Sequence, residues 1–503
     1  MHHAAITIDR AFRIGPLSRR MFGSFIEHMG RCVYGGVFEP GHPSADARGL
    51  RTDVIELARQ LGVSVVRYPG GNFVSGYRWE DGVGPVRDRP RRLDLAWRSI
   101  ETNAFGLHEF MSWAKLAGAE PMMAVNLGTR GVQEACDLLE YCNHPGGTSL
   151  SDLRRKHGVE EPFGVKLWCL GNELDGPWQV GHKTATEYGR LAAETAQAMR
   201  RVDPGVSLIA CGSSNSGMPT FPAWEATVLE HTYEYIDYIS LHTYYDPGDG
   251  DQKSFLASAV DMDTFIDSVV ATADHVGAKL RQKRKLKLSF DEWNVWYMSR
   301  LPAQLDRNWC EAPALIEDDF TATDAVVVGD LLVTLMRHAD RIGVACQAQL
   351  ANVIGPIRTR TGGPAWRQSI FHPWALTARY AHGTVLRTEP ISPTYETAKY
   401  GAVPVLDAVA VYNEDEGELS VFAVNRGDEP LRLDLDLRDL AGLTQVRHIT
   451  VAASGNPNAF NTPEAPDQVA PVDLAAPVLD GGRTSTLLPA ISWNLLHFAA
   501  RPL

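Results

Sequence analysis

The 503-residue chain carries 48 basic and 61 acidic side chains, a formal charge of −13, with 44% apolar and 22% charged residues. That balance describes a soluble globular protein with room for two domains, and it argues against nucleic acid or an anionic membrane surface as a partner. No stretch reaches the roughly 18 apolar residues that a membrane span requires.

The first ten residues lack the apolar segment of a signal peptide. The seven cysteines (Cys32, Cys136, Cys142, Cys169, Cys211, Cys310, Cys346) are scattered and include no Cys-x-x-Cys pair. That usage points to free thiols in a reducing compartment, and it supports neither a zinc site nor a redox motif. The expected location is the cytoplasm.

In chain order, residues 5–14 alternate apolar and polar side chains, and residues 1–17 are expected to lend a strand to a later β-domain. From 18 to 385, short apolar runs alternate with longer amphipathic segments. The runs fall at 22–28, 63–68, 120–127, 165–171, 207–211, 236–242, 286–290 and 344–350, with helical periodicity between them at 185–201 and 326–340, for example. Eight strands separated by helices predict an α/β fold, the (β/α)8 TIM barrel. An open doubly wound sheet is the competing architecture, but no Gly-x-Gly-x-x-Gly turn follows the first strand. From 386 to 503 the texture changes to alternating runs at 403–412, 418–425, 431–437, 446–453 and 484–498, divided by Gly, Asn, Asp and Pro. These predict a C-terminal antiparallel β-sandwich, with 455–482 as a long loop.

Catalytic groups of such barrels sit at the C-terminal ends of the strands. Applied here, that rule selects Glu27 and His28, then Arg67 through Asn72, Asn126, Asn172 with Glu173, His242 with Tyr244, Asp291 with Glu292 and Trp293, and Gln349 with Asn352. Glu173 and Glu292 each end an apolar run beside an asparagine and bulky aromatics. A lone glutamate at a strand end reads equally well as a helix cap or a surface ion pair. Two of them, delivered by separate strands, are the equipment of a glycosidase: one protonates the leaving oxygen and the other attacks or stabilises the sugar carbon. Asn172 suits the sugar 2-hydroxyl, and Arg67 needs a carboxylate partner, for which Glu292 is the natural candidate. His28 and His242 could each be an ordinary satisfied histidine. Trp97, Trp178, Trp293, Trp296 and Trp309 could be core residues or sugar-stacking platforms. No His-Glu-x-x-His motif or related metal spacing occurs, so neither metal nor organic cofactor is expected.

The segments WCLGNELDGPWQVGHKTA, SFDEWNVWY, RYPGGNF, LAWRSIETN and FGSFIEHMGRCVYGG resemble the α-L-arabinofuranosidases of glycoside hydrolase family 51, and the resemblance runs nearly end to end. It implies a (β/α)8 barrel, a jelly-roll-like sandwich completed by the N-terminal strand, and exo-acting hydrolysis with retained configuration. The implied substrates are arabinan- or arabinoxylan-derived, arabinose-containing oligosaccharides. By the same resemblance Glu173 is the acid/base and Glu292 the nucleophile, while Glu27, Arg67, Asn72, Asn172, Tyr244 and Gln349 hold the sugar ring or the nucleophile. Trp97, Trp178 and Trp296 surround the cleft, and His242 is grouped with the substrate-binding residues. Thr243 departs from the glutamine of bacillary relatives, and residues 300–316 form a loop that could select the aglycone. Kinship also implies a homo-oligomer, a hexamer. The rival expectations are a β-xylosidase, endoglucanase or β-galactosidase on the same barrel, a non-catalytic carbohydrate-binding barrel, and a metal-dependent barrel enzyme.

Overall fold

The computed structural model describes residues 2–248, 250–440, 442–443 and 445–500. Its centre is a closed barrel of eight parallel strands: Gly23–Phe25, Val65–Tyr68, Glu120–Ala124, Leu167–Leu170, Ser207–Ala210, Tyr238–Tyr245, Lys287–Val295 and Ile342–Gln347. They follow one another around the barrel in sequence order, and the last pairs with the first through Cys346 and Gly23. Parallel strands covered on both faces read as continuous apolar runs, and the strands at 65–68 and 167–170 are buried at every position. Alternate side chains part company. Val65, Met122, Ala124, Leu167, Cys169, Ile209, Val344 and Cys346 fill the barrel, while Trp168, Leu170, Leu208 and Ile239 pack outward in the main core shared with the helices.

The helices carry their own boundary signals. Ala185–Val202 starts at a capping box in which the Thr184 hydroxyl accepts from Glu187 N–H and the Glu187 carboxylate accepts from Thr184 N–H. Ala322–Arg337 is apolar nearly all round because it is buried on all sides. One side faces the barrel, and the other meets the sandwich strands Leu406–Asn413, Glu418–Asn425, Gln445–Ala452 and Ser492–Ala499. Buried Arg426 seals that junction with hydrogen bonds to Asp330 (2.8 Å) and Asp407 (2.6 Å).

The sandwich has a seven-stranded sheet in the order Arg13–Pro16, Thr384–Leu386, Leu406–Asn413, Glu418–Asn425, Ser492–Ala499, Gln445–Ala452 and Val472–Leu474. Facing it are His2–Thr7, Leu431–Asp436 and Arg483–Leu488. Ile6, Leu419, Val421, Leu433, Leu488 and Phe498 belong to one core between the two sheets.

Several expected elements are divided or extended. The alternating stretch at 5–14 is two strands, separated by a turn in which Phe12 N–H donates to Asp9 C=O. They join different sheets, the first in parallel with Leu431–Asp436 and the second beside Thr384–Leu386. The run at 484–498 breaks at Pro489, after which Ile491 takes a left-handed φ of 42°. The expected long loop at 455–482 contains the strand Val472–Leu474. The seventh barrel strand does not stop at Phe290 but runs on to Val295, with register shifts against its neighbour, so Asp291, Glu292 and Asn294 lie on the strand itself.

Candidate active site

The C-terminal strand ends converge on a cleft of about 420 Å3. Of the residues that the sequence singled out, Glu27, Asn72, Trp97, Glu173, Trp178, Tyr244, Glu292, Trp296 and Gln349 line it. Arg67, Asn172 and His242 are buried beneath and bond to the lining residues.

Glu173 leaves the fourth strand in a tight turn. Its own φ is +46°, a left-handed conformation uncommon for a residue with a side chain. Gly176 N–H closes the turn onto the Glu173 carbonyl at 2.9 Å, and Gln179 Nε2 ties down the Asn172 carbonyl at 2.6 Å. The turn presents the carboxylate with both oxygens engaged. Oε1 lies 3.0 Å from His242 Nδ1, and Oε2 accepts from Trp178 Nε1–H at 2.9 Å.

Glu292 faces it from the seventh strand. Its Oε2 accepts from Arg67 Nη1 at 3.0 Å and its Oε1 from the Tyr244 hydroxyl at 2.6 Å. One carboxylate oxygen of Glu173 and one of Glu292 lie within 4.8 Å of each other and of an imidazole nitrogen of His242. The guanidinium of Arg67 also reaches Asn172 Oδ1 (2.7 Å), whose amide donates to Asn72 Oδ1 (3.0 Å). A single buried cation therefore fixes the nucleophile candidate and the asparagine pair together.

Electrostatics follow from burial. Arg67 pairs with Glu292 as the sequence suggested, yet the net shift of Glu292 is upward. Burial outweighs the stabilisation from His242, Arg67 and Tyr244, and Glu173 adds like charge. Burial opposes the His242 imidazolium too, but Glu292, Asp291 and Glu173 overcome it and push this group up to about 10. Asp291, whose Oδ1 is 3.0 Å from His242 Nε2, is held below its ordinary range because Arg67 and His242 overcome its burial. Glu173, His242 and Glu292 could together offer ligand atoms to a cation.

Glu27 closes the far wall. Its Oε1 accepts from Phe73 N–H (3.0 Å) and Trp97 Nε1 (2.7 Å), and its Oε2 accepts from Gln349 Nε2 (2.7 Å). Burial first, and then the charge on Glu292, raise its pKa well above the usual carboxylate range. The Pro-Gly-Gly-Asn turn makes room for it: Gly71 has φ +61°, and a Cβ there would lie 2.3 Å from the Glu27 carboxylate. Gln349 Oε1 and Trp296 Nε1 are buried without a hydrogen-bond partner among the described residues. Both belong to cleft-lining side chains, which sugar hydroxyls could satisfy.

The structure also sorts the remaining candidates. His28 is a satisfied core residue, 2.8 Å from Glu101 Oε2 and 2.9 Å from the Tyr68 hydroxyl, and stacked on Phe73. Asn126 caps a turn through Gly128 and Thr129, Asn352 holds Arg31 C=O and Thr359, and Trp293 stacks on Trp374. The sequence reading passed over the fifth strand, whose following loop brings Ser214 and Asn215 to the cleft. The segment expected to select the aglycone, residues 300–316, supplies with Met298 an apolar wall. Met298, Leu301, Leu305 and Ile316 line one side, on a segment anchored to the Trp97 loop by Arg307 Nη2 donating to Trp97 C=O and Ile100 N–H donating to Cys310 C=O.

Known proteins resemble this chain over nearly its whole length. The α-L-arabinofuranosidase 1 domain family matches residues 57–262, and the α-L-arabinofuranosidase C-terminal domain family matches residues 291–492. An intracellular exo-α-(1→5)-L-arabinofuranosidase of Streptomyces lividans is 59% identical, over 99% of this chain and 76% of that protein. An exo-α-(1→6)-L-arabinofuranosidase of Bifidobacterium longum is 52% identical, over 99% and 97%. Among solved structures, the family 51 α-L-arabinofuranosidase AbfB of Bifidobacterium longum superposes with a TM-score of 0.94 at 44% identity, covering 99% of this chain and 100% of that one. The arabinose complex of the Thermotoga maritima enzyme gives 0.87 at 33% identity, covering 99% of each. With relatives this similar over 99% of its length, the chain belongs to the α-L-arabinofuranosidases of glycoside hydrolase family 51.

Proposed function

We propose that the protein releases terminal non-reducing α-L-arabinofuranosyl units from arabinose-containing oligosaccharides by double displacement, with Glu292 as nucleophile and Glu173 as acid/base. The observation that carries this reading is the approach of the two carboxylates to within 4.8 Å. Retaining glycosidases place these groups about 5–5.5 Å apart, whereas inverting ones leave about 6.5–9.5 Å for a water. Glu292 attacks the anomeric carbon while Glu173 gives its proton to the departing oxygen. The resulting ester removes the negative charge opposite Glu173, which then takes a proton from water as that water releases arabinose. Asn72, Glu27 and Gln349 line the cleft and offer polar contacts to the ring, with Asn172 beneath holding Asn72 in place.

The relatives above are named for (1→5) and (1→6) bonds, both made through a primary hydroxyl. A CH2 spacer at the leaving oxygen suits the apolar wall of Met298, Leu301, Leu305 and Ile316, so we read the natural aglycone as one attached through a primary oxygen. The cytoplasm as the site of action is supported by relatives named intracellular and by seven unpaired cysteines. No helix of the described residues is long and apolar enough to cross a membrane. Assembly as a homohexamer belongs to the same reading by kinship.

The direct test compares p-nitrophenyl α-L-arabinofuranoside with the β-D-xylopyranoside, β-D-glucopyranoside and β-D-galactopyranoside. The expected result is a preference of at least about 100-fold for the arabinofuranoside, roughly 2.7 kcal/mol of transition-state discrimination. Silence on that substrate with activity on another would overturn the sugar assignment. Silence on all four would favour the binding-protein reading.

The nucleophile must be ionised to attack, and its pKa is raised by burial and by Glu173. Activity is therefore lost as pH falls through that raised value. The acid limb of the kcat/KM profile is expected above the ordinary glutamate value of about 4.3. A limb at or below it, measured on a substrate with kinetically simple release, would contradict the environment assigned to Glu292.

A further inference from the structure

The acid proposed for the first step must carry a proton on an oxygen that faces the glycosidic bond. Oε1 of Glu173 is turned inward onto His242, which is 3% exposed. The remaining oxygen, Oε2, is held by the indole of Trp178. An indole N–H only donates, so it occupies one lone pair of Oε2 and favours the ionised carboxylate, the stronger acceptor, over the protonated acid. The indole itself is free to leave: Trp178 is 50% exposed. Its seat against the turn exists because residue 176 is glycine, where a Cβ would lie 2.5 Å from indole Cε2.

Resting on the acid/base reading of Glu173, we infer that Trp178 guards the acid: its indole on Oε2 favours the ionised form, and an aglycone that displaces the indole favours the protonated form that delivers the proton. Once the indole is displaced, the Oε2 proton passes to the glycosidic oxygen. The C1–O bond breaks with its electron pair leaving on that oxygen, and the Glu292 oxygen bonds to C1. With the aglycone gone, the indole returns and donates to the new carboxylate, stabilising the ionised form that serves as base in the second step. Trp178 is thus a positioning residue that links occupancy of the leaving-group side to the protonation state of Glu173. The charged or titratable groups facing Glu173 are His242 and Tyr244 from the sixth strand and Glu292 from the seventh, with Arg67 behind Glu292, Asp291 beyond His242, and Asp175 of its own turn bonded to Ser214.

Two substitutions separate this role from simple sugar stacking. Trp178→Phe keeps a ring but removes the N–H. Gly176→Ala keeps the indole but fills its seat, and residue 176 has no left-handed φ to strain. Both withdraw a donor from the ionised form of Glu173. On an arabino-oligosaccharide, both are expected to move the alkaline limb of kcat/KM upward by about 0.5–1 pH unit, which leaves roughly three- to tenfold more relative activity on that limb. An unmoved limb in both variants, with only KM raised, would overturn the guard and leave Trp178 a stacking platform. Parallel profiles on a dinitrophenyl arabinofuranoside, which needs no proton, test the underlying reading separately. An alkaline limb of equal size there would show that Glu173 is not the acid, whatever Trp178 does.

Discussion

Glu292→Ala is expected to lower kcat on p-nitrophenyl α-L-arabinofuranoside by at least about 10^4-fold, because no other group can form the ester. Tyr244 and Arg67 both aim donors at this carboxylate, and Asp291 sits behind with its oxygens engaged by His242 and facing Arg67, so it cannot replace its neighbour. The fold should survive. Arg67 keeps its 2.7 Å bond to Asn172 and its proximity to Asp291, so the guanidinium is not stranded in the core. Added azide should restore turnover through the vacated space and give an arabinofuranosyl azide of inverted configuration. A variant that retained more than about 1% of wild-type kcat while folded would refute the assignment.

Glu173→Ala should instead discriminate between leaving groups. Hydrolysis of oligosaccharides, whose alkoxide needs a proton, is expected to fall by about 10^3–10^4-fold in kcat/KM. A dinitrophenyl arabinofuranoside should lose no more than about tenfold in the same parameter, since its phenolate departs unaided. His242 cannot take over the task, since its two nitrogens point at Glu173 and Asp291 and not along the cleft. A uniform loss across both substrate classes would count against the acid role.

Much of this arrangement could be read in the residues because the barrel couples strand ends to chemistry. At Glu27, Asn172, Glu173, Tyr244 and Gln349, where an apolar run ended in a bulky polar group, the side chain reached the cleft or the layer directly beneath it. The same rule selected His28, Asn126 and Asn352, which spend their hydrogen bonds on neighbouring loops. A strand end supplies a position, and only three-dimensional partners decide whether the group is free for a ligand. Ser214 and Asn215 escaped because small polar residues after a strand look like ordinary turn chemistry. The 300–316 segment reads as an aglycone selector, but which of its residues face the cleft was not legible: Leu301, Leu305 and Ile316 do. The single N-terminal strand turned out to be two because alternation continues through 5–14 while the Asp9 turn redirects the chain to the other sheet. The upward shift of Glu292 was hidden as well, since an Arg–Glu pairing can be guessed from sequence but the depth of its burial cannot.

Retention by two closely spaced carboxylates is the centre of the mechanism. It is tested most directly by following the anomeric proton of the sugar first released from p-nitrophenyl α-L-arabinofuranoside by NMR. The α-anomer should appear first, with the β-anomer growing in only as the free sugar mutarotates. If the β-anomer formed first, Glu292 would not be a covalent nucleophile and the double displacement would be wrong.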